Sequence, residues 1–177
     1  MARVLRSSLL AEDGVKLDIG SQAARYQDYT TIDLYSPEAD VRADALTLPF
    51  PDDSVEEIWA SHILEHLKPV KVQPALKEWL RVLKPGARAR IMIPDLDDAC
   101  RAWLERRPAA NSMIFGGQEE GQAHYIGWGT LEFHQELLAA GYEVVSVKSM
   151  KETADKHFGG AYWHDMVSIL AEARKPK

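Results

Sequence analysis

Val15-Lys16-Leu17-Asp18-Ile19-Gly20-Ser21, followed downstream by Thr30-Thr31-Ile32-Asp33 and Val41-Arg42-Ala43-Asp44, reads as three short strands meeting ligand-type residues at their ends. The first is an apolar run that stops at Gly20, a residue free to take positive φ. The second delivers Asp33 at its C-terminal end, and a weaker apolar-polar alternation precedes Asp44. A parallel sheet presents ligands at the carboxyl ends of its strands, beside the switch in strand order. One glycine turn and two strand-end acids are what a nucleoside with a ribose diol and an amino-bearing base needs. These residues therefore predict a site for an adenosyl cofactor.

The 177 residues suffice for one domain with a core of ordinary size. Hydrophobic content of 46% and charged content of 27% fall in the globular range. A net charge of −6 gives no basic stripe for phosphates, so no nucleic-acid partner is expected and a small or neutral acceptor is favoured. The single Cys100 excludes an intramolecular disulfide and suits a reducing compartment. Ser7-Ser8-Leu9-Leu10 is too short for a signal peptide, and no stretch reads as a bilayer span. A cytoplasmic protein without membrane insertion is the expectation.

Further along, Leu48 to Ser54 is a turn-rich connector and Val55 to Ala60 a strand leading into Ser61-His62. Val72, Leu76, Trp79, Leu80 and Leu83 recur at helical spacing over 70–83, with Pro74 suited to the first turn and Lys84-Pro85-Gly86 as the stop. Ala89 to Pro94 is another buried strand. Asp95 can cap a helix carrying Leu96, Ala99, Cys100, Trp103 and Leu104 on one face. Residues 108–129 read as one long irregular segment, and Thr130 can cap a helix that ends at Gly141. Tyr142 to Val147 and Asp165 to Ala173 look like a closing strand pair. This alternation predicts an α/β fold: a Rossmann-like three-layer sandwich with a mostly parallel sheet and an antiparallel C-terminal strand pair. Residues 1–177 are read as one unit, with a cofactor-binding half at 1–107, an acceptor lid at 108–129 and a helix and strand pair at 130–177.

Six motifs in order carry a resemblance: Leu17-Asp18-Ile19-Gly20-Ser21, Thr31-Ile32-Asp33, Ala43-Asp44-Ala45-Leu46, Leu64-Glu65-His66, Arg81-Val82-Leu83-Lys84-Pro85-Gly86 and Ile91-Met92-Ile93-Pro94-Asp95. Over Val15 to Asp95 the chain resembles the class I S-adenosylmethionine-dependent methyltransferases, and most closely the small type-11-like members. The resemblance implies that Gly20 and Ser21 pass under the methionine part of the cofactor. It implies that Asp33, followed by Leu34, accepts hydrogen bonds from the ribose hydroxyls. Asp44, with the backbone of Ala45 and Leu46, would meet the adenine edge, and Ser61 would lie beneath the sulfonium. Asp18 would touch the cofactor's ammonium group or simply brace the strand end. The chain departs from the family in two places. Gln22 stands where a second glycine is usual, and Gly20 to Asp33 leaves room only for a shortened first helix.

His62-Ile63-Leu64-Glu65-His66 also matches the H-x-x-E-H pattern of inverted zinc peptidases, but it follows a strand and precedes Lys68-Pro69 instead of lying on a long helix. Some class I methyltransferases acting on hydroxyls resemble this chain in a carboxylate and a Glu-His pair at the fourth strand, with a distant His completing a divalent-metal site. Here His62, Glu65, His66 and His124 would form that set, and their nitrogen-rich donors suit zinc or another transition metal better than magnesium. The plainer alternative has these histidines lining the pocket by hydrogen bonding. His62, His66 and His124 are thus candidates for the catalytic base, singly or through a metal. The glycines of 116–129 supply hinges, with His124, Tyr125 and Trp128 either covering an acceptor or tucked into a satellite core. Trp59, Trp79 and Trp103 are expected in the core. The reading is transfer of a methyl group from S-adenosylmethionine to a small-molecule or glycan hydroxyl, with nitrogen the less favoured acceptor. A binding module with a degenerate cofactor site and a metal-dependent hydrolase are the alternatives.

Overall fold

The structure is a computed structural model and describes residues 14–20, 28–108, 110–117, 121–151 and 167–177. Its strands are β1 (Val15–Ile19), β2 (Thr30–Asp33), β3 (Val41–Arg42), β4 (Val55–Ser61), β5 (Leu83–Pro94), β6 (Glu143–Lys151) and β7 (Val167–Arg174). They form one seven-stranded sheet in the order β3-β2-β1-β4-β5-β7-β6. The first five are parallel, and β7 lies antiparallel between β5 and β6. This is the Rossmann-like, mostly parallel sheet with an antiparallel C-terminal pair. The chain moves outward from β1 through β2 to β3, then returns to add β4 on the other side of β1. The carboxyl ends of β1 and β4 therefore flank the switch point, where such sheets take their ligands.

The helices are α1 (Pro69–Val82), α2 (Leu96–Leu104), α3 (Ala110–Phe115) and α4 (Thr130–Ala140). Val72, Ala75, Leu76, Trp79 and Val82 give α1 a buried stripe at helical spacing. That stripe joins Phe133 and Leu137 of α4 and the inward residues Leu17, Ile19, Ile32, Ile58, Ala60, Ala89, Ile91 and Ile93 in one core. Each large side chain buried there contributes about 1.5–3 kcal/mol.

Two contacts from α1 hold the connector after β3 against this core. The buried Trp79 Nε1 donates to Ala45 O at 2.9 Å. Glu78 Oε1 accepts from Leu48 N at 2.7 Å, while the Arg81 guanidinium bonds Glu78, Phe50 O and Asp52. The segment 44–53 is thereby pinned to a helix rather than left to the turn residues alone.

Several local expectations are corrected. Pro69 takes the first helical turn, so Pro74 lies inside α1. β5 begins at Leu83 directly after α1, with Pro85 and Gly86 (φ +79°) inside the strand span. α2 buries Ala99 and Ala102 against Ala110 and Met113 of α3, leaving Cys100, Trp103 and Leu104 exposed. Small residues suit that close helix pair, and the bulky side chains turn outward. Residues 108–129 contain the helix α3 and are not wholly irregular. Gly129 is the N-cap position of α4 and Thr130 its first residue, whereas Gly141 ends the helix in the left-handed conformation as expected. Residues 21–27, where the shortened first helix and Gln22 fall, lie outside the described residues. Among the described residues no helix is long and apolar enough to cross a membrane.

Trp79→Phe leaves the buried Ala45 carbonyl unpaired, so urea denaturation should show a loss of about 1–3 kcal/mol. The Arg81 guanidinium holds the Glu78 carboxyl below the usual carboxylate range. A lowered folded pKa gives stability that is present above the unfolded pKa and lost as pH falls through the folded one. Thermal melts of Glu78→Gln against pH should therefore show a smaller loss on acidification than the parent.

Candidate functional site

The carboxyl ends of β1, β2 and β4 converge on Gly20. Its φ is +79° and its N–H donates to Ile32 O at 2.8 Å, which ties the turn to β2. A Cβ at this position would stand 2.9 Å from Ile63 Cδ1. Glycine is required twice over, by backbone conformation and by space. Ser21 lies outside the described residues.

At the end of β2, Asp33 is largely buried. Its Oδ1 accepts from the backbone N–H of Tyr35 and of Ser36, each at 2.7 Å. This fixes the carboxylate while the other oxygen takes no hydrogen bond from a described residue. Leu34 is exposed beside it, its carbonyl accepting from Arg42 Nε. Asp44 accepts from Leu46 N at 3.0 Å through Oδ1, and Ala45 is held by Trp79. Asp18 is buried within β1, in register with Thr31 and Trp59. Ser61 ends β4, and its Oγ is buried with no hydrogen-bond partner among the described residues. A glycine turn that a side chain would block, an open carboxylate oxygen and an orphaned hydroxyl together fit a polar cofactor.

Immediately after β4 the backbone turns through His62, which has φ +53° and donates its N–H to Met92 O. The short 3-10 helix Leu64–His66 then brings Glu65 back under His62. His62 Nδ1 lies 3.0 Å from Glu65 Oε1, and its Nε2 lies 3.4 Å from Ser168 Oγ on β7. A carboxylate only accepts, so Nδ1–H is the donor, and Nε2 can accept from the serine hydroxyl. Burial pushes the Glu65 carboxyl up, but the His62 hydrogen bond and the nearby histidine charges outweigh it, so the net shift is downward. Its second oxygen, Oε2, is buried without a partner among the described residues.

Residues 121–128 pack across this turn. Tyr125 N donates to Glu65 O at 2.8 Å and His124 N to Phe115 O at 3.0 Å. His66 Nδ1 lies 3.2 Å from Ala123 O, and His124 Nδ1 lies 3.1 Å from Met113 O. Carbonyls accept, so both Nδ1 atoms carry the proton and both Nε2 atoms keep a lone pair. The two rings meet edge to face with centroids 4.9 Å apart. Burial lowers the His124 pKa, which favours the neutral ring. Ligand atoms of Glu65, His66 and His124 all lie within 4.8 Å of one another. The structure thus brings together three of the four residues expected around a metal, while the ring nitrogens of His62 face Glu65 and Ser168.

Trp128 does not face an acceptor. It is buried in the main core, 5.6 Å from the Phe133 ring, and its carbonyl accepts from Leu96 N. Tyr125 remains exposed. Asp95 is the helix cap of α2, with its second oxygen taken by Ser149 Oγ. Ser168 and the carbonyls of Ala123 and Met113 escaped the sequence reading, and Gly116, expected as a hinge, has a steric role instead. Gly116 has φ +72°, and a Cβ there would collide with Gln122 O and His124. A serine within a strand carries no sequence signal of its own.

Residues 9–91 match the family described as a methyltransferase domain. Among curated proteins, an uncharacterized methyltransferase of Mycobacterium marinum is 35% identical over 92 residues, which is 51% of this chain and 29% of that protein. A similar protein of Mycobacterium tuberculosis is 35% identical over 88 residues. The matched stretch thus covers less than a third of the length of these relatives. Among solved structures, a SAM-dependent methyltransferase of Methanosarcina mazei superposes with a TM-score of 0.67 at 18% identity, over 97% of this chain and 98% of that one. The 1,6-didemethyltoxoflavin-N1-methyltransferase of Burkholderia thailandensis gives 0.64 at 16% identity, over 96% and 74%. The [4+2]-cyclase SpnF gives 0.57 at 20% identity, over 96% and 80%. Residues 9–91 thus carry the methyltransferase domain signature, on the class I S-adenosylmethionine-dependent methyltransferase fold that the motifs resemble.

Proposed function

We propose that this chain binds S-adenosylmethionine at the carboxyl ends of β1, β2 and β4 and transfers its methyl group to a hydroxyl of a small molecule or glycan. The fold alone does not carry this reading, since a [4+2]-cyclase shares it. The carrying observation is the open oxygen of Asp33, held rigid by two backbone N–H groups beside the positive-φ turn at Gly20. A preorganised carboxylate with one free oxygen suits a vicinal diol, whose two hydroxyls both donate. Asp44 with the Leu46 N–H would serve the adenine edge, and the Ser61 hydroxyl would gain a partner beneath the sulfonium.

When bound, the cofactor supplies an electrophilic methyl carbon on a positively charged sulfur. An acceptor oxygen would form the new C–O bond as the C–S bond breaks, the electron pair leaving with sulfur. The chain's own work is alignment of the reactants, together with removal of the hydroxyl proton. Removal of that proton is the task of the cluster of Glu65, His66 and His124, directly or through an ion they hold, with its orientation fixed by His62, Ala123 and Met113. Residues 108–129 would form the acceptor side, with exposed Tyr125 available to stack on a sugar face. The exposed thiol of Cys100 fits a reducing compartment such as the cytoplasm.

Titration calorimetry with S-adenosylhomocysteine tests the reading. The parent chain should bind, and Asp33→Ala should weaken binding about tenfold or more, the scale of a charge-assisted hydrogen bond. No heat at millimolar cofactor would leave the degenerate binding module as the better account. Gly20→Ala should lower stability by about 1–3 kcal/mol in urea and weaken cofactor binding as well, because the strained turn and Ile63 both move.

A further inference from the structure

The geometry points to a divalent transition-metal site formed by Glu65, His66 and His124. Glu65 is 1% exposed, its Oε1 is engaged by His62, and its Oε2 is buried with no partner. A buried carboxylate oxygen left unpaired is costly, and a cation is the partner that best offsets the cost. His66 and His124 come from segments 58 positions apart, yet each is prepared in the same way. Each Nδ1–H is spent on a backbone carbonyl, Ala123 O in one case and Met113 O in the other, so each offers a lone pair at Nε2. Histidines that bind metals are almost always oriented like this, with the remote nitrogen tied to a carbonyl or carboxylate.

One ligand atom from each of the three residues lies within 4.8 Å of the others. At bond lengths of about 2.1 Å, tetrahedral ligand atoms stand about 3.4 Å apart, so loading draws the three closer. Two imidazole nitrogens and one carboxylate oxygen suit zinc or a neighbouring first-row ion and disfavour magnesium. Three protein ligands also leave a position open, as in catalytic rather than structural sites. His62 then acts as a positioning residue that holds Glu65, with Ser168 behind it.

The role of such an ion rests on the methyl-transfer reading. An acceptor hydroxyl in the open position would ionise more readily, which is the chemistry the ion would supply to the transfer. Binding itself does not depend on that reading.

The test is zinc titration of the full chain, stripped with a chelator and dialysed, followed by cofactor titration of the same samples. One zinc per chain is expected. His124→Ala and Glu65→Gln should each weaken zinc binding tenfold or more, while His134→Ala, on α4, should leave it unchanged. All three variants should still bind S-adenosylhomocysteine, which shows that they fold. Absence of saturable zinc binding by the parent, or unchanged binding in His124→Ala, overturns the site. Failure of the parent to bind S-adenosylhomocysteine would instead overturn the methyl-transfer reading, so the two outcomes are separable.

Discussion

The close approach of Ile63 to Gly20 is the constraint on which the site depends. With 2.9 Å between Ile63 Cδ1 and the place a Cβ would take, β1 and the turn after β4 share one surface. Two otherwise separate groups become neighbours in consequence. Asp33 ends β2 and Asp44 follows β3 on one side of β1, while Ser61 ends β4 and His62 and Glu65 follow it on the other. The switch in strand order creates the crevice, and the glycine allows it to close without a gap.

Burial of charge imposes the second constraint. Glu65 is enclosed, so each of its oxygens requires a partner. His62 meets one and is itself set by an unusual positive φ and by Ser168 on β7. The segment 121–128 meets the peptide group of the same residue through Tyr125 N. His124 therefore reaches the strand-end cluster because backbone hydrogen bonds carry it there. Gly116 makes that path possible, because any side chain would strike Gln122 and His124.

The sheet and the residues at its strand ends were readable because they depend on local patterns. The apolar run into Gly20, the acid closing β2 and the 72-76-79 spacing of α1 each encode their own structure. The face of α2 was not readable, because Ala99 and Trp103 both satisfy a helical period and only the partner helix selects the alanines. Leu83 to Gly86 misled for a related reason: Pro85 and Gly86 look like breakers, yet pairing of Leu83 with Val55 starts β5 before them. The histidine cluster was half visible. Glu65 and His66 form a motif, whereas Ser168 and the carbonyls that orient the rings are defined only once distant segments meet.

A crystal structure with S-adenosylhomocysteine tests the central claim most directly. The account predicts the ribose hydroxyls within about 2.6–3.2 Å of the oxygen of Asp33 that takes no backbone hydrogen bond, with the sulfur above Ser61. A nucleoside bound elsewhere, or an Asp33 carboxylate turned away from the ribose, would contradict it.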